Sequence, residues 1–74
     1  MACVNADGTI TESGRTMLLG LKEGATAEAL AAATTLPLFR VRSGLREMAQ
    51  AGLVVELEGA YRATERGLAL AEGH

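Results

Sequence analysis

Two hydrophobic periods divide this chain. Between residues 12 and 51 apolar side chains recur every three or four positions, the spacing of one helix face. From Leu53 to Ala63 they alternate in pairs of faces, as strands do. Met17, Leu18 and Leu21 predict a first helix from about Glu12 to Glu23, with Gly24 as its stop. Thr9 and Thr11 are both candidate N-caps, and Glu12 follows Thr9 at the capping-box spacing. Ala25-Thr26 is too short for a strand of its own but can supply one bridge to a sheet edge. Thr26 caps a second helix from about Ala27 to Thr34, whose Leu30 and alanines form a narrow apolar side suited to close helix packing. Thr34-Thr35-Leu36 reads as a turn with Leu36 inward. Pro37 suits the first position of a third helix. Val41, Leu45 and Met48 form its buried stripe, and Gly52 closes it at about Ala51. Gly44, inside that helix, costs about 1 kcal/mol relative to alanine and marks a close approach or is incidental.

Leu53 to Glu58 then reads as a strand, with Leu53, Val55 and Leu57 on one face and Val54, Glu56 and Glu58 on the other. Glu58-Gly59-Ala60 is a turn signal, and Tyr61 to Ala63 is the return strand of a tight hairpin. Thr64 caps a last helix from about Glu65 to Ala71, with Leu68 and Ala71 inward. Residues 1–8 have no periodicity and read as a flexible lead to a single domain over 9–72. The expected fold is mainly α with a small antiparallel β-hairpin, in the order helix, bridge, helix, helix, hairpin, helix.

Seventy-four residues allow one domain with a small core, and a stability of roughly 3–5 kcal/mol is the natural expectation at this size. No apolar run approaches the ~18–20 residues of a membrane span. The N-terminus lacks a basic stretch followed by an apolar run, so a cytoplasmic protein is expected. The single cysteine, Cys3, cannot form an internal disulfide. It reads as a free thiol in a loose terminus. His74 is the only histidine, which leaves no metal-ligand set and no cofactor in view. Enzyme chemistry is not expected either. Paired histidines, a serine–histidine pair and a glycine-rich phosphate loop are all missing. Glu56 and Glu58 sit at an exposed hairpin tip with nothing to raise one pKa for acid–base work.

Charge placement says more than net charge. Leu36 to Arg46 carries Arg40, Arg42 and Arg46 and no acid, a local +3; removing these three from the net −2 leaves −5 for the remainder. A basic face on an acidic body can meet phosphates in one orientation and repel them in others.

Two helices joined by a tight turn, the second ending at a glycine that feeds a strand, have the sequence form of a helix-turn-helix. Leu36-Pro37 opens a helix. Val41-Arg42-Ser43-Gly44-Leu45-Arg46-Glu47-Met48 is followed by Gly52-Leu53-Val54, and Tyr61-Arg62-Ala63-Thr64-Glu65-Arg66-Gly67 closes the pattern. In this order and spacing, over roughly residues 12 to 72, the chain resembles the winged helix-turn-helix domains of bacterial transcriptional regulators of the MarR, PadR and ArsR-like groups. The resemblance implies a transcriptional regulator whose third helix, about residues 37–51, reads the major groove of double-stranded DNA. One such module contacts few base pairs, so a homodimer or other partner is expected. The extra dimerisation helices of the MarR- and PadR-like groups are missing here.

On a wheel of about 100° per residue, with Val41, Leu45 and Met48 inward, the outer face of the third helix carries Phe39, Ser43, Arg46 and Gln50. Arg42 and Arg40 flank it, and Leu38 lies at its start. Arg42 and Arg46 suit guanine, because the guanidinium fork matches O6 and N7. Ser43 suits a phosphate or a base edge, and Arg40 a phosphate. Phe39 suits a thymine methyl or a protein interface. Thr26, at the start of the second helix, can bind one phosphate with its neighbouring N–H groups. The wing is acidic through Glu56 and Glu58, with only Arg62 and Arg66 to compensate. The bland alternative is a solvated arginine face with weak ion pairs, Arg42 to Glu28 among them. Two rival functions follow: a protein-interaction module docking through Phe39 or the hairpin, and a DNA binder without sequence preference. Neither a membrane nor a small-molecule substrate is suggested.

Overall fold

Three threonines set helix starts in the computed structural model, which describes residues 3–73. The Thr11 hydroxyl accepts the Gly14 N–H at 3.1 Å and opens α1 (Glu12–Leu19). Thr26 accepts from Ala29 at 3.1 Å and opens α2 (Ala27–Thr34), just after the two-residue strand β1 (Ala25–Thr26). Of the two candidates for the first cap, the geometry selects Thr11 over Thr9. The third helix, α3, spans Leu38–Gln50. Strands β2 (Val54–Leu57) and β3 (Ala60–Ala63) form a hairpin. Thr64 accepts from Gly67 at 3.1 Å and opens α4 (Glu65–Gly73). The described residues therefore form four helices with one three-stranded antiparallel sheet in the order β1-β3-β2. Among the described residues no helix is long and apolar enough to cross a membrane.

Helix α3 is the centre of the core. Val41, Leu45 and Met48 are fully buried, together with Met17, Leu18 and Leu21 from α1 and the turn after it, and Leu30 from α2. Its C-terminus is a Schellman turn: the Leu53 N–H donates to the Met48 carbonyl at 2.8 Å and the Gly52 N–H to the Ala49 carbonyl at 3.1 Å. That geometry needs the positive φ of +80° at Gly52. Pro37 turns out to be the N-cap of α3 rather than its first residue, with extended ψ of 143° and no side-chain cap. Thr35, in the turn before it, holds a left-handed φ of +59°, unusual for a β-branched residue.

The structure departs from the sequence expectations in three further places. First, α1 stops at Leu19, four residues before Glu23. The Leu21 N–H turns back to the Leu18 carbonyl at 3.0 Å, and the Leu21 carbonyl accepts the Ala63 N–H at 3.0 Å. The end of β3 thus takes an acceptor that helix continuation would have used, and the Leu30 side chain packs where a Cβ at Gly20 would be.

Second, the first hairpin strand begins one residue later than expected, at Val54. Leu53 and Val54 are both 2% exposed, whereas Val55 is 46% and Leu57 67% exposed. Leu53 is consumed by the helix-ending turn and so does not share a face with Val55 and Leu57, while the expected alternation from Val54 to Leu57 is the one observed. The inner face carries Val54 opposite Ala63 and Glu56 opposite Tyr61; the outer face carries Val55 opposite Arg62 and Leu57 opposite Ala60. The two-residue loop, Glu58 and Gly59, has φ of +54° and +88°, the positive pair of a type I′ hairpin turn.

Third, the segment expected as a flexible lead is fastened down from residue 3 onward; Met1 and Ala2 lie outside the described residues. Cys3 is 3% exposed and belongs to the core. Its carbonyl accepts the Thr11 N–H at 2.9 Å, and Val4 bridges Ile10. The Glu47 carboxylate accepts the Cys3 N–H at 2.8 Å and the Val4 N–H at 3.2 Å. Gly14 and Gly44 make room: a Cβ on either would stand 2.6 Å from an atom of Cys3, the carbonyl oxygen or Sγ respectively. The thiol is free, but burial, and after it the charge of Glu47, pushes its pKa up. In the turn that follows, the Asp7 carboxylate accepts both the Thr9 hydroxyl and the Thr9 N–H, which holds it below the usual carboxylate range.

Candidate nucleic-acid interface

The buried stripe of α3 dictates what the opposite side presents. With Val41, Gly44, Leu45 and Met48 inward, residues Leu38, Phe39, Arg40, Arg42, Ser43, Arg46 and Gln50 are all exposed. Phe39 is 73% exposed and Leu38 37%, so the start of the helix is apolar and wet. Every residue singled out on this helix therefore lies on the surface.

Two of the arginines share a structured setting. Arg42, Arg46 and Ala49 of α3 face Glu56 and Tyr61 of the hairpin across an open hollow of about 260 Å³. The hairpin register explains the pairing, because Glu56 and Tyr61 are cross-strand neighbours on the sheet face turned toward α3. Arg42 also reaches α2: its Nη2 donates to Glu28 Oε2 at 2.9 Å, with both side chains more than half exposed. Arg46 has no carboxylate within ion-pair distance among the described residues.

The remaining candidates are dispersed. Thr26 is exposed, and its hydroxyl is engaged as the α2 cap, leaving the O–H proton to donate. Its strand partner is Ala60, on the outer sheet face. Arg62 is exposed too, but strand alternation puts it on the face opposite Tyr61 and Glu56, so it does not join the hollow. The compensation of wing acidity by Arg62 thus fails on geometry at Glu56. Sequence reasoning missed Tyr61 and Ala49. The signal for Tyr61 was its place opposite Glu56 in a two-residue hairpin. No group of three potential metal ligands exists among the described residues.

Chemically, the surface offers three guanidinium groups, a phenol, a hydroxyl and an apolar tip, with Glu28 and Glu56 at its margins. It can donate to phosphates and to base-edge acceptors, and the acids restrict where it can do so. Comparison with known proteins finds no matching family model, no matching curated protein and no matching solved structure.

Proposed function

We propose that this chain is a winged helix-turn-helix protein that binds double-stranded DNA as a transcriptional regulator, with α3 in the major groove and the β2–β3 hairpin as a wing. The observation that carries the reading is the two-sidedness of α3. One side is buried in the core and the other presents Arg40, Arg42 and Arg46 to solvent, with the hairpin beside it. A helix held this way offers its outer residues to a groove without rearrangement. The Glu28–Arg42 pair does not close that face, since Glu28 engages one Nη2–H and leaves the other guanidinium donors for an anion or a base edge. Thr26 adds an O–H and the first N–H groups of α2 as a phosphate seat. Glu56 keeps the wing at a distance from the phosphate backbone at that point. A module this small gains useful affinity as a dimer.

The test is a titration of the full chain against a pool of randomised duplexes at low and moderate salt, alongside Arg42→Ala and Arg46→Ala. Retention at low salt, a preferred sequence and weakening by both substitutions are expected. Binding that falls steeply with salt and shows no preference would leave a non-specific DNA binder. No binding at low salt would leave the protein-interaction module, for which the exposure of Phe39 and Leu57 is the favouring observation.

A further inference from the structure

The two arginines that line the hollow are not equivalent, and the difference is a carboxylate. Arg42 is held by Glu28 across the α2–α3 junction at 2.9 Å, while Arg46, one turn on, carries no such tether among the described residues. Glu28 stands two residues after the Thr26 cap, on the helix whose start is the phosphate seat of the proposed interface. A carboxylate there weakens attraction to any duplex, whatever its sequence. What it gives in return is orientation. Arginine is a long side chain with much rotamer freedom, and a bidentate contact to guanine requires the fork in one plane and one direction. Glu28 engages a single Nη2–H, so the Nε–H, both Nη1–H groups and the second Nη2–H of Arg42 remain as donors.

We propose that Glu28 is a positioning residue for Arg42, which makes Arg42 the base-reading arginine of α3 and Arg46 a less discriminating backbone contact. This rests on the DNA-binding reading and adds a specific division of labour to it. The role of Glu28 has opposite signs on the two quantities that define a DNA interface. It lowers affinity for duplex in general and raises the preference for one base pair.

Selection of the full-length chain on a pool of randomised duplexes supplies the preferred site. The wild type, Glu28→Gln, Glu28→Ala, Arg42→Lys and Arg46→Ala are then titrated against that site and against a scrambled duplex. Glu28→Gln and Glu28→Ala both remove the charge, so both are expected to raise affinity for the scrambled duplex by about two- to fivefold at low salt. The preference for the guanine read by Arg42 is expected to fall by about two- to fivefold in Glu28→Ala, the most that an exposed pair of this kind can contribute. It should fall less in Glu28→Gln, whose amide oxygen can still accept from the guanidinium. Arg42→Lys keeps the charge and is expected to lose that preference, whereas Arg46→Ala weakens all duplexes alike. Equal strengthening on both duplexes by Glu28→Ala, with the preference intact, would make Glu28 a simple repellent and overturn the proposal. A wild type that binds every duplex equally keeps DNA binding and removes the positioning role. One that binds none removes both.

Discussion

Glu47 and Glu28 each hold something against α3, and they do so under opposite physical conditions. Glu47 is half-buried on a flank of the helix, at the edge of the core, and accepts two backbone N–H groups, from Cys3 and Val4. Those donors are backbone groups, fixed in place by the burial of the Cys3 side chain in the core. Glu28 lies in water and accepts one N–H from a side chain that can swing away at little cost. The first carboxylate closes a fold, and the second restrains a surface group that remains available. One helix thus separates a side where contacts are obligatory from a side where they are exchangeable, and that separation is what a recognition helix requires.

The largest expected effect attacks the floor that both sides share. Leu45 is fully buried at the middle of the inner stripe. Leu45→Ala is expected to cost about 2–5 kcal/mol, most or all of the roughly 3–5 kcal/mol expected for a domain of this size. Thermal unfolding followed by far-ultraviolet circular dichroism should show a chain largely unfolded near room temperature. A well-folded variant would mean that this stripe is not the anchor of α3.

Next comes the seam under Cys3. A Cβ at Gly44 would stand 2.6 Å from Cys3 Sγ and 3.1 Å from Met17 Cε. Gly44→Ala is expected to destabilise by about 1–3 kcal/mol, despite the better helix propensity of alanine. The same change in a Cys3→Ala background should cost clearly less, because the sulfur it meets has gone. Equal costs in the two backgrounds would show that the two residues do not touch.

Glu47→Ala sharpens the comparison directly. It leaves the Cys3 and Val4 N–H groups without their acceptor, an expected loss of about 1–3 kcal/mol by chemical denaturation. Reaction of the thiol with a bulky disulfide reagent should speed up at the same time, as residues 3 and 4 come away from α3. A variant as stable as the parent, with an equally slow thiol, would break the distinction between the two carboxylates.

A smaller effect follows from the raised pKa of Cys3. The folded chain keeps a proton that the unfolded chain releases, so stability is whole below the ordinary thiol pKa. It declines as pH climbs from there through the higher folded value. Denaturation midpoints measured across the alkaline range should therefore fall faster for the wild type than for Cys3→Ala. Parallel curves would mean that the thiol titrates alike in both states.

What could be read in advance was local. Thr26 and Thr64 as caps, the Val41–Leu45–Met48 stripe and the Gly52 stop all lie within one turn of the groups they satisfy. The exposure of Arg42 and Arg46 followed from that stripe alone. Misread features depend on partners far along the chain. Cys3 looked loose because its cradle is Gly14 and Gly44, and its tether Glu47 is 44 residues away. Helix α1 was drawn too long because the competitor for the Leu21 carbonyl is Ala63. Strand β2 was begun one residue early because Leu53 belongs to the end of α3, and the hairpin register decides that Tyr61, and not Arg62, joins the hollow.

The smallest stability change is expected where the proposed function is greatest. Glu28→Ala removes an exposed ion pair worth about 0–1 kcal/mol. It also places alanine, the best helix former, in the first turn of α2, a gain of a few tenths of a kcal/mol that offsets part of the loss. The Thr26 cap is untouched. The melting temperature should therefore stay within a degree or two of the parent, since a whole kcal/mol moves a domain of this size by about 4–8 °C. Against the expected loss at Glu47, that near-silence makes Glu28 a residue whose removal can be read in binding without a folding correction. A drop as large as that of Glu47→Ala would put the Glu28–Arg42 pair among the contacts that hold α2 to α3, and the two sides of the helix would no longer differ in kind.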